Sequence, residues 1–259
     1  HKASGLYAFE IAEIYKNKAR NQKALAVCRQ IIKDFPKSLG QQKCEILQKQ
    51  IKQKTLAIKA EKYIPIDKNS RLLVRYKNTD TLYFTAYKIN QKQQEKLHTT
   101  YAFKDRKNLI QTLQQSTTWH HILRNENDYI QHSTEVIVPK LKSGLYLIVA
   151  SESERLQEDS VYGTTTLQVT NLALVKNTFN NMYNYQVVDR YTGQPIKNAK
   201  LKLENKERNT GKYIHKKLTT DKNGFASFKS DDSYNNVNVE VRTTNDFASF
   251  GNQYFYHQY

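Results

Sequence analysis

The spacing of apolar residues changes once along this chain, and that change restricts the fold more than any single motif. From Leu6 to about Ile58 the spacing is helical: Leu6, Ile11, Ile14 and Tyr15, then Ala24, Cys28, Ile31 and Ile32, then Cys44, Leu47, Ile51 and Ile58. Each set recurs at the three-to-four-residue interval of one helix face, so three consecutive helices joined by short turns are expected. The connection "DFPKSLGQQ" at 34–42 marks one of those turns. Pro36 cannot continue a helix, Ser38 can N-cap the next, and Gln41 three residues on completes a capping-box pattern.

Around Tyr63 the period falls to two. "RLLVRYKN" (71–78) and "TLYFTAYKI" (81–89) read as strands, and "TEVIVPKLKSGLYLIVASE" (134–152) as two more joined at Pro139 to Gly144. Between them, 91–130 is Gln-rich and less patterned, with helical stretches expected near 102–115 and 119–127. Residues 62–152 are therefore read as a β-sandwich carrying an insertion around 91–130. The acidic, Ser-containing stretch "SESERLQEDS" at 151–160 interrupts an otherwise basic chain, which places a linker at 153–164.

Beyond the linker, strands are expected at 165–175, 183–189, 199–204, 212–219, 225–229, 236–243 and 247–256. That regular succession suits an immunoglobulin-like sandwich over 165–259. In "DRYTGQPIKNAKLKL" (189–203), Gly193 and Pro195 punctuate a turn, after which Ala199, Leu201 and Leu203 alternate with lysines. In "TTDKNGFASF" (219–228), Asp221 to Gly224 supply a tight hairpin turn, and Ala226 and Phe228 share one face of the strand that follows. Val237, Val239 and Val241 form the cleanest inward face. The expected fold class is mainly β with a helical N-terminal segment at 1–61, followed by tandem antiparallel β-sandwiches of immunoglobulin-like or macroglobulin type. A hydrophobic fraction of 38% is low, but 18 Tyr and 10 Phe supply the large apolar faces such sheets need.

Two resemblances rest on these stretches. "AFEIAEIYKNKARNQKALAVCRQIIKDFPKS" resembles a tetratricopeptide repeat, with Tyr15 near the end of a first helix, Ala24 opening a second and Phe35-Pro36 closing the unit. About one and a half repeats are visible, and an array needs three or more to bury its faces, so the helices are expected to lean on the next domain or on further repeats. "TTLQVTNLALV" (165–175), "YQVVDRYTGQPIKNAKLKL" (185–203) and "TTDKNGFASF" (219–228) resemble a β-domain of the bacterial alpha-2-macroglobulin family. "LLVRYKNTDTLYFTAYKI" and "KLKSGLYLIVASES" are similar to the β-domain before it in Bacteroidetes-type members, so the resemblance spans roughly 62–259.

The resemblance implies a parent molecule of stacked macroglobulin domains that traps proteases at the cell envelope. In the family a cleaved bait segment triggers a change of shape, and in many members a cysteine-glutamine thioester captures the attacker. Here the only Cys-Glu pair, Cys44-Glu45, lacks the required Gln downstream. The chain is therefore expected to be a non-catalytic scaffold, with the remaining domains of the parent as its partners and proteases as the parent's targets. Beginning at His1, the sequence reads as an excised piece of an envelope protein, periplasmic or surface-exposed, whose targeting signal lies outside it.

The charge balance bears on other partners. Forty-one Lys+Arg against 24 Asp+Glu give a net +17, which invites an anionic ligand. The lysines are scattered singly or in pairs from Lys2 to Lys229, as in a solvated coat, so no nucleic-acid partner is expected; peripheral association with an anionic envelope component stays open. The fragment is expected to be monomeric. Cys28 and Cys44 are too few and wrongly spaced for zinc, and lie on expected helices as two buried thiols or one bridge. No apolar run approaches the ~20 residues that span a bilayer.

No catalytic, cofactor-binding or metal residue is assigned. His98, His120, His121 and His132 include no His-x-x-x-His or His-x-His pair that would seat two ligands on one side. There is no Gly-x-Ser-x-Gly elbow and no phosphate or dinucleotide loop, so no cofactor is expected. The terminal "FGNQYFYHQY" offers Tyr254 and Tyr256 as an interaction surface, as a surface adhesin or glycan-binding module would use. The bland alternative is a last strand packed across the sandwich, since Phe250, Tyr254 and Tyr256 share parity.

Overall fold

The computed structural model describes residues 2–157, 160–179, 182–206, 213–229 and 236–254. It begins with three helices, α1 (Lys2–Asn17), α2 (Asn21–Asp34) and α3 (Leu39–Lys52). Phe9, Ala12, Ala24, Leu25, Cys28, Ile31, Cys44, Leu47 and Ile51 form their shared core. The α2–α3 turn follows the Ser38 cap signal but not the full capping box: Ser38 Oγ accepts the Gln41 N–H at 3.1 Å, while the Gln41 side chain accepts from the Lys37 N–H rather than from that of Ser38. Gly40 opens α3 against α1, where a Cβ would lie 2.3 Å from the Gly5 carbonyl oxygen. The two backbones meet with no room for a side chain between them. Cys28 and Cys44 are both free and fully buried. Burial pushes both thiols up, and the Cys44 side chain adds to the rise at Cys28.

The third helix ends earlier than its apolar spacing suggested. Ile58 lies seven residues after Ile51 and so fits a helix face, yet 55–60 is β1 (Thr55–Ala60). "TLAIKA" also alternates, and pairing with a neighbouring strand decides between the two readings. The helical bundle docks on that neighbour's turn: Asn78 Nδ2 donates to the carbonyls of Ile51 and Gln53, and Lys77 Nζ donates to the Gln50 carbonyl at 3.1 Å. These are the C-terminal carbonyls of α3, which lack helical partners and attract a cation.

The remaining elements of the first sandwich are β2 (Tyr63–Ile64), β3 (Ser70–Lys77), β4 (Thr81–Ile89), α4 (Gln91–Thr99), α5 (Phe103–Gln111), β5 (Gln114–Ile122), β6 (His132–Val138), β7 (Gly144–Ser151) and β8 (Tyr162–Val169). One sheet runs β1-β3-β6 and the facing one β2-β8-β7-β4-β5. Leu72, Val74, Leu82, Phe84, Val136, Ile148 and Leu167 interdigitate between them, each from the inward set of an alternating strand. Every residue of β7 is buried, because α4 and α5 cover the outer face of its sheet through Leu97, Ile110, Leu145, Leu147 and Val149. The helix expected near 119–127 is instead β5 and the loop after it, where the Thr- and aromatic-rich "TTWHHI" pairs with β4.

The second sandwich comprises β9 (Leu172–Phe179), β10 (Met182–Asp189), β11 (Lys200–Lys206), β12 (Tyr213–Thr219), β13 (Phe225–Lys229), β14 (Asn236–Arg242) and β15 (Phe247–Tyr254). Its sheets run β13-β10-β9 and β12-β11-β14-β15, closing on Tyr183, Tyr185, Val187, Leu201, Leu203 and the three valines of β14. Thr220 ties the layers: its Oγ1 accepts the Ala199 N–H and donates to the Ile196 carbonyl. Gly224 turns with φ +76°, and a Cβ there would meet the Val187 carbonyl at 2.5 Å. The strand expected over 165–175 is two strands. Thr170 and Asn171 break it, and β8 pairs along its whole length with β7, so the 162–164 end of the expected linker is strand. Residue 212 of the expected 212–219 strand and residues 255–256 of the expected 247–256 strand lie outside the described residues.

Two outcomes follow from the helical core. Helix propensity alone makes Ala better than Gly by about 1 kcal/mol, so a Gly40→Ala variant that unfolds at lower denaturant, by about 1–3 kcal/mol, isolates the backbone contact with Gly5. Cys28 and Cys44 are expected to resist a thiol-specific reagent in the native protein and to react fully in denaturant; prompt native labelling would contradict their burial.

Candidate functional site

The structure keeps the histidines apart. His120 sits on β5 beside Tyr83, ring centroids 6.3 Å apart, while His132 Nε2 is bonded to Asp128 at 3.0 Å. Among the described residues no group of three His, Cys, Asp or Glu side chains is placed to hold a metal ion. At the other end, Tyr254 is 56% exposed, and Tyr256 lies outside the described residues. The shared parity of Phe250 and Tyr254 does not survive in space. The β14–β15 register slips by one residue, Val239 facing Gly251 and Glu240 facing Ser249, with Gly251 at φ +66°. This bulge leaves Phe250 packed on the core and turns Tyr254 outward.

The most elaborate arrangement of polar groups is the joint between the sandwiches, centred on Asp246. The β14–β15 turn presets it: the Thr243 N–H donates to the Asp246 carbonyl at 2.9 Å, and Thr243 Oγ1 accepts the Asp246 N–H at 3.0 Å. The carboxylate is thereby aimed at the first sandwich. Its Oδ2 accepts Thr170 Oγ1 at 2.9 Å and the Asn171 N–H at 2.8 Å. Its Oδ1 accepts Ser143 Oγ at 2.6 Å and the Phe247 N–H at 2.7 Å. One side chain thus joins the start of β7, the β8–β9 break and the β14–β15 turn.

Around it, Gln168 imitates a strand partner. Its Nε2 donates to the Phe247 carbonyl at 3.0 Å and its Oε1 accepts the Ser249 N–H at 3.1 Å, in a side chain only 3% exposed. Asn171 Oδ1 accepts the Ile66 N–H, and Gln91 Nε2 donates to Ser249 Oγ. Apolar and cationic contacts close the seam. The Tyr63 ring lies 5.9 Å from that of Phe250 and carries the Arg190 guanidinium 4.7 Å from its centroid. Arg190 also donates to the Leu172 carbonyl at 2.8 Å. Nearby, Thr192 and Tyr191 N–H bonds hold the Asp189 carboxyl below the usual carboxylate range. What such an array does is fix the angle between the sandwiches. Sequence reading passed over Asp246, although two signals were present: the Asn-Asp turn in "TTNDF" and the Thr-Asn interruption in "QVTNLAL".

No family model matches the sequence, and no curated protein matches it. By structure the chain is similar to native alpha-2-macroglobulin from Escherichia coli. A crystal structure spanning domains MG0-NIE-MG1 aligns at TM-score 0.53 and 12% identity, over 76% of this chain and 64% of that one. One spanning NIE-MG1 aligns at TM-score 0.51 and 14% identity, over 76% of this chain and 97% of that one. The fold is macroglobulin-like. The tandem antiparallel sandwiches expected from the alternating stretches are present, and the chain's match takes in less than two thirds of the longer macroglobulin fragment.

Replacing Asp246 strips acceptors from the Thr170 and Ser143 hydroxyls and from the Asn171 amide. An Asp246→Ala variant is expected to lose about 3 kcal/mol of stability and to increase the radius of gyration measured by small-angle scattering. Asp246→Asn, which keeps one acceptor oxygen, should fall between. Unchanged scattering together with unchanged stability would show that the seam is held elsewhere.

Proposed function

We propose that this chain is a non-catalytic scaffold segment of a larger alpha-2-macroglobulin-like protease trap, of the Bacteroidetes type, at the bacterial cell envelope. The observation that carries the reading is the Asp246 joint within a macroglobulin-like fold. A trap built from stacked β-domains works by changing shape after one segment is cut. Such a change moves domains as bodies only where neighbouring sandwiches are fixed to each other. In this role the chain's partners are the remaining domains of the parent, and proteases meet the parent rather than these residues.

The chain's own chemistry fits a passive part. Cys44, the one cysteine followed by Glu, is sealed in the helical core and has no access to an attacking protease. The tetratricopeptide-like helices α1–α3 would brace the first sandwich through Asn78 and through Asn21, whose Nδ2 donates to the Asp128 and Tyr129 carbonyls. Among the described residues no helix is long and apolar enough to cross a membrane. The scattered lysines serve as a solvated coat, with peripheral contact to anionic envelope components and no nucleic-acid partner; the segment by itself is a monomer.

Peptide mapping of the native polypeptide from its source cells, read across Tyr259, is expected to run on into further β-domains. A polypeptide that stops near Tyr259 would remove the trap reading. In the parent, deletion of 62–259 should abolish or strongly reduce protease inhibition, and full retention of inhibition would sink the scaffold role.

A further inference from the structure

A groove of about 550 Å³ runs over the outer face of β4 and β5, bounded by the end of α5 and by the segment 154–156. Its size lies within the ~300–1,000 Å³ usual for small-ligand sites. The floor is built from three cross-strand pairs: Tyr83 with His120, Thr85 with Thr118, and Tyr87 with Gln115. The last pair exists because of a bulge. The register slips between Ala86 and Tyr87, leaving Ser116 unmatched and bringing Gln115 opposite Tyr87. Without the extra residue the Tyr87 partner would be a shorter side chain and Gln115 would face the other way.

We propose that this groove binds a saccharide chain. Tyr83 and Tyr87, four residues apart on one face, stand about 13 Å from each other along the strand, the length of a short oligosaccharide. The Tyr83 and His120 rings offer flat surfaces for the C–H faces of sugar rings, and Tyr87, packed in part on the helical layer, closes the far end. Between them the Thr85, Thr118 and Gln115 side chains present hydroxyls and an amide, which both donate and accept as sugar hydroxyls do. Charge is balanced at the wall, where Arg155 follows Glu154, so the floor is not shaped for a polyanion. A peptide adding as a further strand would need the free edge of β5, and the Ser116 bulge blunts that edge.

Trp119 is the only tryptophan in the chain; it stacks on Phe84 beneath the floor, between Thr118 and His120 on β5, so its fluorescence responds to occupation of the groove. The full chain is titrated with hexasaccharides of glucose, of N-acetylglucosamine and of a uronic acid, and with an extended hexapeptide. A saturable change with the glucose or the N-acetylglucosamine hexasaccharide, at a Kd of about 1 mM or tighter, is expected. Tyr83→Ala should weaken it about tenfold. Gln115→Ala, at an exposed position that keeps the fold, should weaken it as well, and Tyr254→Ala should leave it unchanged. The proposal is overturned if neither neutral saccharide binds, if only the uronic acid saccharide or only the peptide binds, or if binding survives both groove substitutions. None of these results bears on the trap reading, which the peptide map decides.

Discussion

A carboxylate that accepts four hydrogen bonds from three separate segments has very little freedom, and Asp246 is such a group. Two of its donors are backbone amides and two are hydroxyls, and bonds to an ionised acceptor are roughly twice as strong as neutral ones. Because Thr170 and Asn171 lie at the break between β8 and β9, the same carboxylate fixes where the chain leaves one sandwich and enters the next. Gln168 then extends the seam by pairing side chain to backbone with β15. The joint is thus a continuation of sheet-like bonding through side chains, which spares the two sandwiches a continuous strand and still prevents them from swinging.

The placement of these groups explains why a break falls inside an apparently uninterrupted strand. "TTLQVTNLALV" alternates well enough to be read as one element, and Leu167, Val169 and Leu172 are all buried. Yet Leu167 and Val169 belong to the first core and Leu172 to the second. Thr170 Oγ1 accepts the Leu172 N–H while donating to Asp246, so the polar pair occupies the switch from one core to the other. A long connecting loop is not needed, and the sandwiches are left almost in contact.

Period and turn chemistry were legible where they act locally. Helices α1–α3, the alternating strands and the Asp221–Gly224 turn, whose Asp221 carboxylate accepts the Asn223 and Phe225 N–H groups, were visible in the sequence because each depends on residues a few positions apart. The failures share a cause. Ile58 fits both a helix face and a strand face, and only pairing with β3 decides. The two bulges, at Ser116 and at Phe250–Gly251, each shift parity by one residue, which no count along the chain reveals. Asp246 acts across separations of 75 to 103 residues, so the turn that holds it is readable while its purpose is not.

The saccharide groove and the joint lie at opposite ends of one sheet. In the order β2-β8-β7-β4-β5, Tyr63 and Gln168 bring the seam to β2 and β8, while the groove occupies β4 and β5. The helices between them touch both: Gln91 at the start of α4 bonds Ser249 in the seam, and Ile110 and Gln111 at the end of α5 line the groove. Arg106 clamps the pair by donating to the Leu97 carbonyl and to Thr164 Oγ1 on β8. A ligand that pressed on the end of α5 would therefore push against a packed layer anchored at β8. Because such layers shift as units rather than deform, the same covering that buries the outer face of β7 would carry any displacement from the groove towards the joint.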